Sequence, residues 1–239
     1  MSKHLLFQEG KTEDNVLDKL CLWPVPKGQG SPRGKSQLIP RIEGVLKAAL
    51  STESLRVLIM RDVDAGETHA SLRQSFVQVF EGLFKQAGLT EKPLFEWHPV
   101  HQNVLLMASE KAQIKVALHL ADRCPVGSGD QKTMDDYVLE LALHKPVADK
   151  LFKPKPTWKL TTDDFLALVA ETLPKTLEEN GRPLVEAKEY SAYYSATLGD
   201  YISPPLFAEK VLTHAQKCAP DRVKEVFASL YAAVDFLKS

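Results

Sequence analysis

The sequence predicts an α/β fold: a mostly parallel sheet flanked by helices, followed by a helical C-terminal subdomain. Strand-like and helix-like stretches alternate with short connections through the first half, the order that builds parallel sheets with covering helices. Residues 55–61 (LRVLIMR) are apolar almost throughout, as a central strand buried on both faces requires. From residue 133 onward helical spacing replaces strand signals, broken by Pro154, Pro156, Pro183, Pro204 and Pro205. On this pattern residues 1–145 form the α/β domain and 146–239 the helical subdomain.

Residues 4–8 are a short apolar run ending at Glu9 and Gly10, a strand followed by a turn. Thr12 is placed to cap the next helix, whose Val16, Leu17 and Leu20 share one face. Residues 20–25 predict a second short strand, ended by Pro24 and Pro26. A Gly/Pro/Ser-rich loop with Lys27, Arg33 and Lys35 spans 26–37, and a helix over about 40–50 carries Ile42, Val45, Leu46, Ala49 and Leu50. The 55–61 strand ends at Asp62, Val63, Asp64, Ala65 and Gly66, and a long helix follows over about 67–87. Strands are predicted near 94–98, 103–108 and 113–121, then helices over 133–144, 161–179, 204–218 and 220–238. Asp163 and Asp221 fall in first turns, where a negative charge favours the helix dipole.

The chain has 239 residues, of which 44% are hydrophobic and 26% charged, enough for a buried core and unlike a disordered or collagenous chain. No apolar run approaches the ~18 residues of a membrane span, and the polar start MSKHLLFQEGKTED does not resemble a signal peptide. Cys21, Cys124 and Cys218 stand far apart, a pattern suited to a reducing cytoplasm and not to a disulfide framework or cysteine zinc site. With 30 Lys+Arg against 31 Asp+Glu, the chain lacks the basic excess of many nucleic-acid binders. Cations in the 26–37 loop and at Lys150, Lys153, Lys155 and Lys159 still offer a local basic track.

Two stretches imitate a phosphate-binding P-loop. Gly10, Lys11 and Thr12 have Leu5 where the motif needs its first glycine, and Gly34, Lys35 and Ser36 have Gln29 there. Neither can wrap backbone N–H groups around a phosphate. The seven histidines form no metalloprotease pattern, and no nucleophile elbow is present.

What remains is a set of carboxylates at the carboxyl ends of apolar strands, where open α/β sheets bind ligands. Glu9 follows the first strand, while Asp62 and Asp64 follow the strongest. Two residues apart, Asp62 and Asp64 point the same way if strand geometry persists. Converging carboxylates repel unless protonated or shared with a cation. Oxygen-only donors suit Mg²⁺ or Mn²⁺, which support phosphoryl-transfer and hydrolytic chemistry. The competing reading makes Asp62 and Asp64 caps of the following helix.

Glu9 and Gly10 after a first strand, with Asp62, Asp64 and Gly66 after a later one, resemble the Toprim domain shared by topoisomerases, primases, RecR-type repair proteins and OLD-type nucleases. LLFQEGKTEDNVLDKL followed by RVLIMRDVDAG is similar to small stand-alone bacterial Toprim-like proteins over roughly residues 4–145. The resemblance implies that Asp62 and Asp64 hold the ion and that Glu9 is a further ligand or the general acid/base. It offers Asp136, and less so Asp135, as a second metal position. Lys11, Lys35 and Arg61 are candidates for substrate phosphate, Arg61 alternatively neutralising its acidic neighbours; Glu67 reads as a first-turn residue. No topoisomerase tyrosine or primase zinc module is evident.

The expected activity is therefore Mg²⁺- or Mn²⁺-dependent hydrolysis of phosphodiesters in DNA or RNA. A separate ATPase partner is implied by the OLD-type resemblance, in a setting such as phage defence, with self-association open and no membrane partner. The alternatives are a non-catalytic Toprim-like scaffold binding nucleic acid or protein, and a phosphotransferase or nucleotide hydrolase using the same site.

Overall fold

The computed structural model describes residues 2–24, 35–50, 52–126, 130–153, 159–198 and 202–239. Residue contacts divide the chain into two compact units, 1–121 together with 228–239, and 122–227. This division differs from a boundary at 145/146 at both ends of the helical region.

The first unit is the α/β fold the sequence predicts. Its strands are β1 (Lys3–Phe7), β2 (Leu55–Arg61), β3 (Glu96–Trp97), β4 (Val104–Ser109) and β5 (Ile114–Leu120). They form one sheet in the order β1-β2-β5-β4-β3. β1, β2 and β5 are parallel, with Phe7 opposite Ile59 and Arg61 opposite Leu120, while β4 is antiparallel to both β5 and β3. The reversal follows from connection length. Residues 110–113 join β4 to β5 too tightly for a crossover, so only a hairpin is available.

The helices of this unit are α1 (Lys11–Leu20), α2 (Leu38–Ala49), α3 (His69–Gln86) and, from the far end of the chain, α11 (Ala228–Lys238). Val57 and Ile59 join a core with Ile42 and Leu46 of α2 and Phe76, Phe80 and Leu83 of α3. The alternating Leu58 and Met60 are equally buried, and α11 packs on β2, β4 and β5. There the buried Asn103 Nδ2 donates to Ser229 Oγ (3.2 Å), and His119 Nε2 lies 3.0 Å from the same hydroxyl. Both faces of β2 are therefore covered, which is why its sequence is a run and not an alternation.

The strand expected at 20–25 is not formed over the described residues 21–24. Cys21 takes a left-handed φ of 51°, its N–H donates to Asp18 and that of Leu22 to Leu17. These bonds close α1 in a Schellman motif, and Leu22 and Trp23 become buried plugs.

The second unit contains α4 (Met134–Ala142), α5 (Lys145–Leu151), α6 (Thr162–Ala167), α7 (Leu173–Glu179), α8 (Ala187–Thr197), α9 (Pro204–Cys218) and α10 (Pro220–Val226). The helix expected over 161–179 carries a π-helical turn at Leu168–Thr172. Pro174, which lacks an N–H and crowds the carbonyl four residues back, lies just beyond it. The helix expected over 220–238 is two helices, α10 in this unit and α11 on the sheet. Among the described residues no helix is long and apolar enough to cross a membrane.

Candidate functional site

β1 and β2 are neighbours in register, so the two chain segments leave the sheet together. Glu9 lies just past the end of β1, and Arg61 is the last residue of β2. The Arg61 side chain is 5% exposed, and Nη1 stands 2.8 Å from Oε1 of Glu9, itself 10% exposed. Nη2 donates to both Glu67 oxygens at 2.8 and 3.0 Å and lies 3.5 Å from Oδ2 of Asp64. Nη1 also donates to the Asp62 main-chain carbonyl. One guanidinium thus gathers three carboxylates from two strand ends and the loop beyond.

The local backbone explains this gathering. Val63 enters the apolar core beneath the sheet end, while Asp62 and Asp64 on either side are half-buried, as alternation dictates. The chain then turns: the Glu67 N–H donates to the Asp64 carbonyl (2.9 Å), and the Asp64 N–H donates to Oε2 of Glu67 (3.0 Å). Gly66 has φ +82° at the third position of that turn, a conformation that favours glycine. Thr68 and Ser71 then form a reciprocal capping box that starts α3. Helix capping therefore falls to Thr68 and Ser71, leaving Asp64 and Glu67 for the guanidinium.

On the β1 side, Gly10 is the N-cap of α1, and Glu13 and Asp14 lie in its first turn. A Cβ at residue 10 would stand 2.8 Å from Oε2 of Glu13, so the glycine makes room for that buried carboxylate. Gln8 donates from Nε2 to Asp14, whose carboxyl is raised above its usual range by burial, against the opposing effects of Gln8, Arg41 and Lys11. Lys11 opens α1 with an exposed side chain. The Lys35 side chain lies outside the described residues.

Asp136 belongs to the second unit. It is 3% exposed at the third position of α4, where it accepts from Thr133 N (2.7 Å) and Oγ1 (3.0 Å). Burial pushes its carboxyl up to about 6 despite these bonds. In this position Asp136 is a helix cap.

The sequence reading missed the part played by Glu67. The sequence offers pairing of Arg61 with its acidic neighbours as an alternative, but the six-residue return of Glu67 onto Arg61 depends on the Gly66 turn. Carboxylates converging on one cation fit a hard divalent ion in their donor chemistry. Among the described residues, no set of three or more His, Cys, Asp or Glu side chains is spaced to close around an ion with Arg61 in this position.

No family model matches the chain, and no curated protein matches it in sequence. In structure it is similar to a hypothetical protein from Pyrococcus horikoshii OT3, with 13% identity, a TM-score of 0.59 and coverage of 100% of both chains. At that identity the likeness is one of fold.

Proposed function

We propose that the chain is a cytoplasmic Toprim-like nuclease that hydrolyses phosphodiesters in DNA or RNA with the help of Mg²⁺ or Mn²⁺. The observation that supports this reading best is the convergence of Glu9 and Asp64 on a single cation at the carboxyl ends of adjacent parallel strands. Glu9, Asp62 and Asp64 would hold the ion. When bound, it supplies Lewis-acid polarisation of the phosphodiester and an activated water. Glu9 alternatively moves a proton at the scissile phosphate, Arg61 exchanges carboxylate partners for a phosphate oxygen, and Lys11 and Lys35 offer further phosphate contacts. Asp136 enters as a second metal position by resemblance alone. A separate ATPase would act with this chain, as the OLD-type resemblance implies.

A second reading is a non-catalytic Toprim-like scaffold, favoured by the ion pairs that Arg61 makes with Glu9, Asp64 and Glu67. The two separate in a cleavage assay on mixed DNA and RNA with Mg²⁺ or Mn²⁺. The nuclease reading expects wild-type cleavage that Glu9→Ala and Asp62→Ala both abolish. Cleavage persisting unchanged in both variants overturns it. Stable complexes with nucleic acid or protein that survive both substitutions, without cleavage by wild type, favour the scaffold.

A further inference from the structure

The near balance of acids and bases over the whole chain conceals a local concentration in the second unit. α5 packs against α9, and Cys218 Sγ at the end of α9 donates to the Pro146 carbonyl at the start of α5 (3.4 Å). The two helices therefore run in opposite directions. Lys210, His214 and Lys217 lie at i, i+4 and i+7 on α9, one face of a helix over about 10 Å of rise. Lys150 and Lys153, at and just beyond the end of α5, are exposed. Four lysines depress His214 by their charge: Lys217, Lys210, Lys153 and Lys150, after burial itself.

Several other cations of this unit face acids. Arg222 meets Glu140 and Glu225, Arg123 meets Glu140, and Lys188 meets Glu186. Lys145 takes up Asp149, the acid of α5, together with Asp163. Glu209 is the acid next to the group on α9. Phe152 at the end of α5 and Phe207 of α9 are joined by a chain of aromatic contacts: Phe152 stacks on Phe165 at 4.6 Å, Phe165 meets Tyr194 edge-on at 4.9 Å, and Tyr194 meets Phe207 at 5.3 Å. Tyr194 also donates from its hydroxyl to the Ala142 carbonyl (2.9 Å). α5 and α9 are thus held together by a packed core.

We propose that the α5–α9 face, through Lys150, Lys153, Lys210 and Lys217, binds the phosphodiester backbone of a nucleic acid independently of any metal. Charge complementarity and the spread of four cations over two helices favour a polyanion over a single small anion. The choice of nucleic acid rests on the activity proposed above; the patch itself does not depend on the Glu9, Asp62 and Asp64 site.

The test is fluorescence anisotropy of labelled single-stranded and duplex oligonucleotides with the full chain in EDTA, over about 50 to 200 mM salt. The patch variant is Lys150→Gln, Lys153→Gln, Lys210→Gln and Lys217→Gln combined. An equal-charge control combines Lys47→Gln, Lys85→Gln, Lys92→Gln and Lys111→Gln, all exposed in the first unit. Wild type and control are expected to bind alike, while the patch variant loses about 3 from the slope of log affinity against log salt, at ~0.7–0.9 per cation. Unchanged binding by the patch variant, or an equal loss in the control, overturns the proposal. So does wild-type binding to vesicles of anionic phospholipid without binding to oligonucleotides. Asp62→Ala separates the two readings: loss of cleavage with binding intact supports both, whereas binding intact with cleavage unchanged in both Asp62→Ala and Glu9→Ala leaves the patch standing and removes the nuclease site.

Discussion

Arg61 is the residue on which the candidate site turns. Its side chain is nearly excluded from water and faces Glu9, Asp64 and Glu67, so removing the positive charge leaves several part-buried carboxylates close together. Deleting one member of such a pair costs about 3–5 kcal/mol when fully buried. Because Asp64 and Glu67 are 27% exposed, Arg61→Gln is expected to lower stability by about 2–4 kcal/mol. In the nuclease reading, Mn²⁺ takes over the lost charge and restores part of that stability in chemical denaturation. A variant whose midpoint is indifferent to Mn²⁺ weighs against a metal at these acids. The residue types at 9, 61, 62 and 64 were legible in the chain. The Arg61–Glu67 contact was not, because it depends on the direction the chain takes after Gly66.

At the scale of elements, capping chemistry decides where helices begin and which acids are free for other tasks. Asp136 caps α4 while buried, and its carboxyl titrates near 6. Its folded-state value lies above the ~3.9 of an unfolded chain, so the native state holds the proton more tightly between those limits. The stabilisation is complete below about pH 4 and is lost as pH rises through about 6, by at most about 3 kcal/mol at 1.36 kcal/mol per unit. Asp136→Asn is expected to flatten that decline in urea denaturation measured across the range. A slope unchanged by the substitution contradicts the assignment.

Elements also show where sequence patterns mislead. α5 and α8 were not expected, for different reasons. α5 starts with Pro146 in its first turn and is only 7 residues long, too short for periodicity to emerge. α8 buries Tyr190, Ser191, Tyr194 and Ser195, a helical face built largely from polar-looking residues. Burial of Ser and Tyr is set by neighbours that composition does not reveal.

For the whole molecule, the consequential feature is the return of the C-terminus. α11 buries Leu230, Ala233, Val234 and Leu237 and meets β2, β4 and β5, closing a sheet face that the first 121 residues leave to it. Deleting residues 228–239 is expected to deprotect β4 and β5 in hydrogen exchange, with loss of cooperative unfolding of the first unit. Retention of full β5 protection after deletion would rule out this covering role. Ser229→Ala should cost about 1 kcal/mol, since Asn103 and His119 both bond to its hydroxyl.

By itself, the sequence determined the α/β class, the buried β2 strand and the placement of Glu9, Asp62 and Asp64 at strand ends. Each follows from local patterns of burial and turn chemistry, read within a span of a few residues. Only the tertiary structure decided the antiparallel β4, the place of the last helix on the sheet of the first unit, the Arg61 ion pairs and the packing of α5 against α9. These depend on strand pairing, helix packing and side-chain contacts between distant segments, which no local pattern encodes. The same physics explains why a nearly neutral chain can present a concentrated positive face: total charge follows from composition, but its distribution follows from the fold.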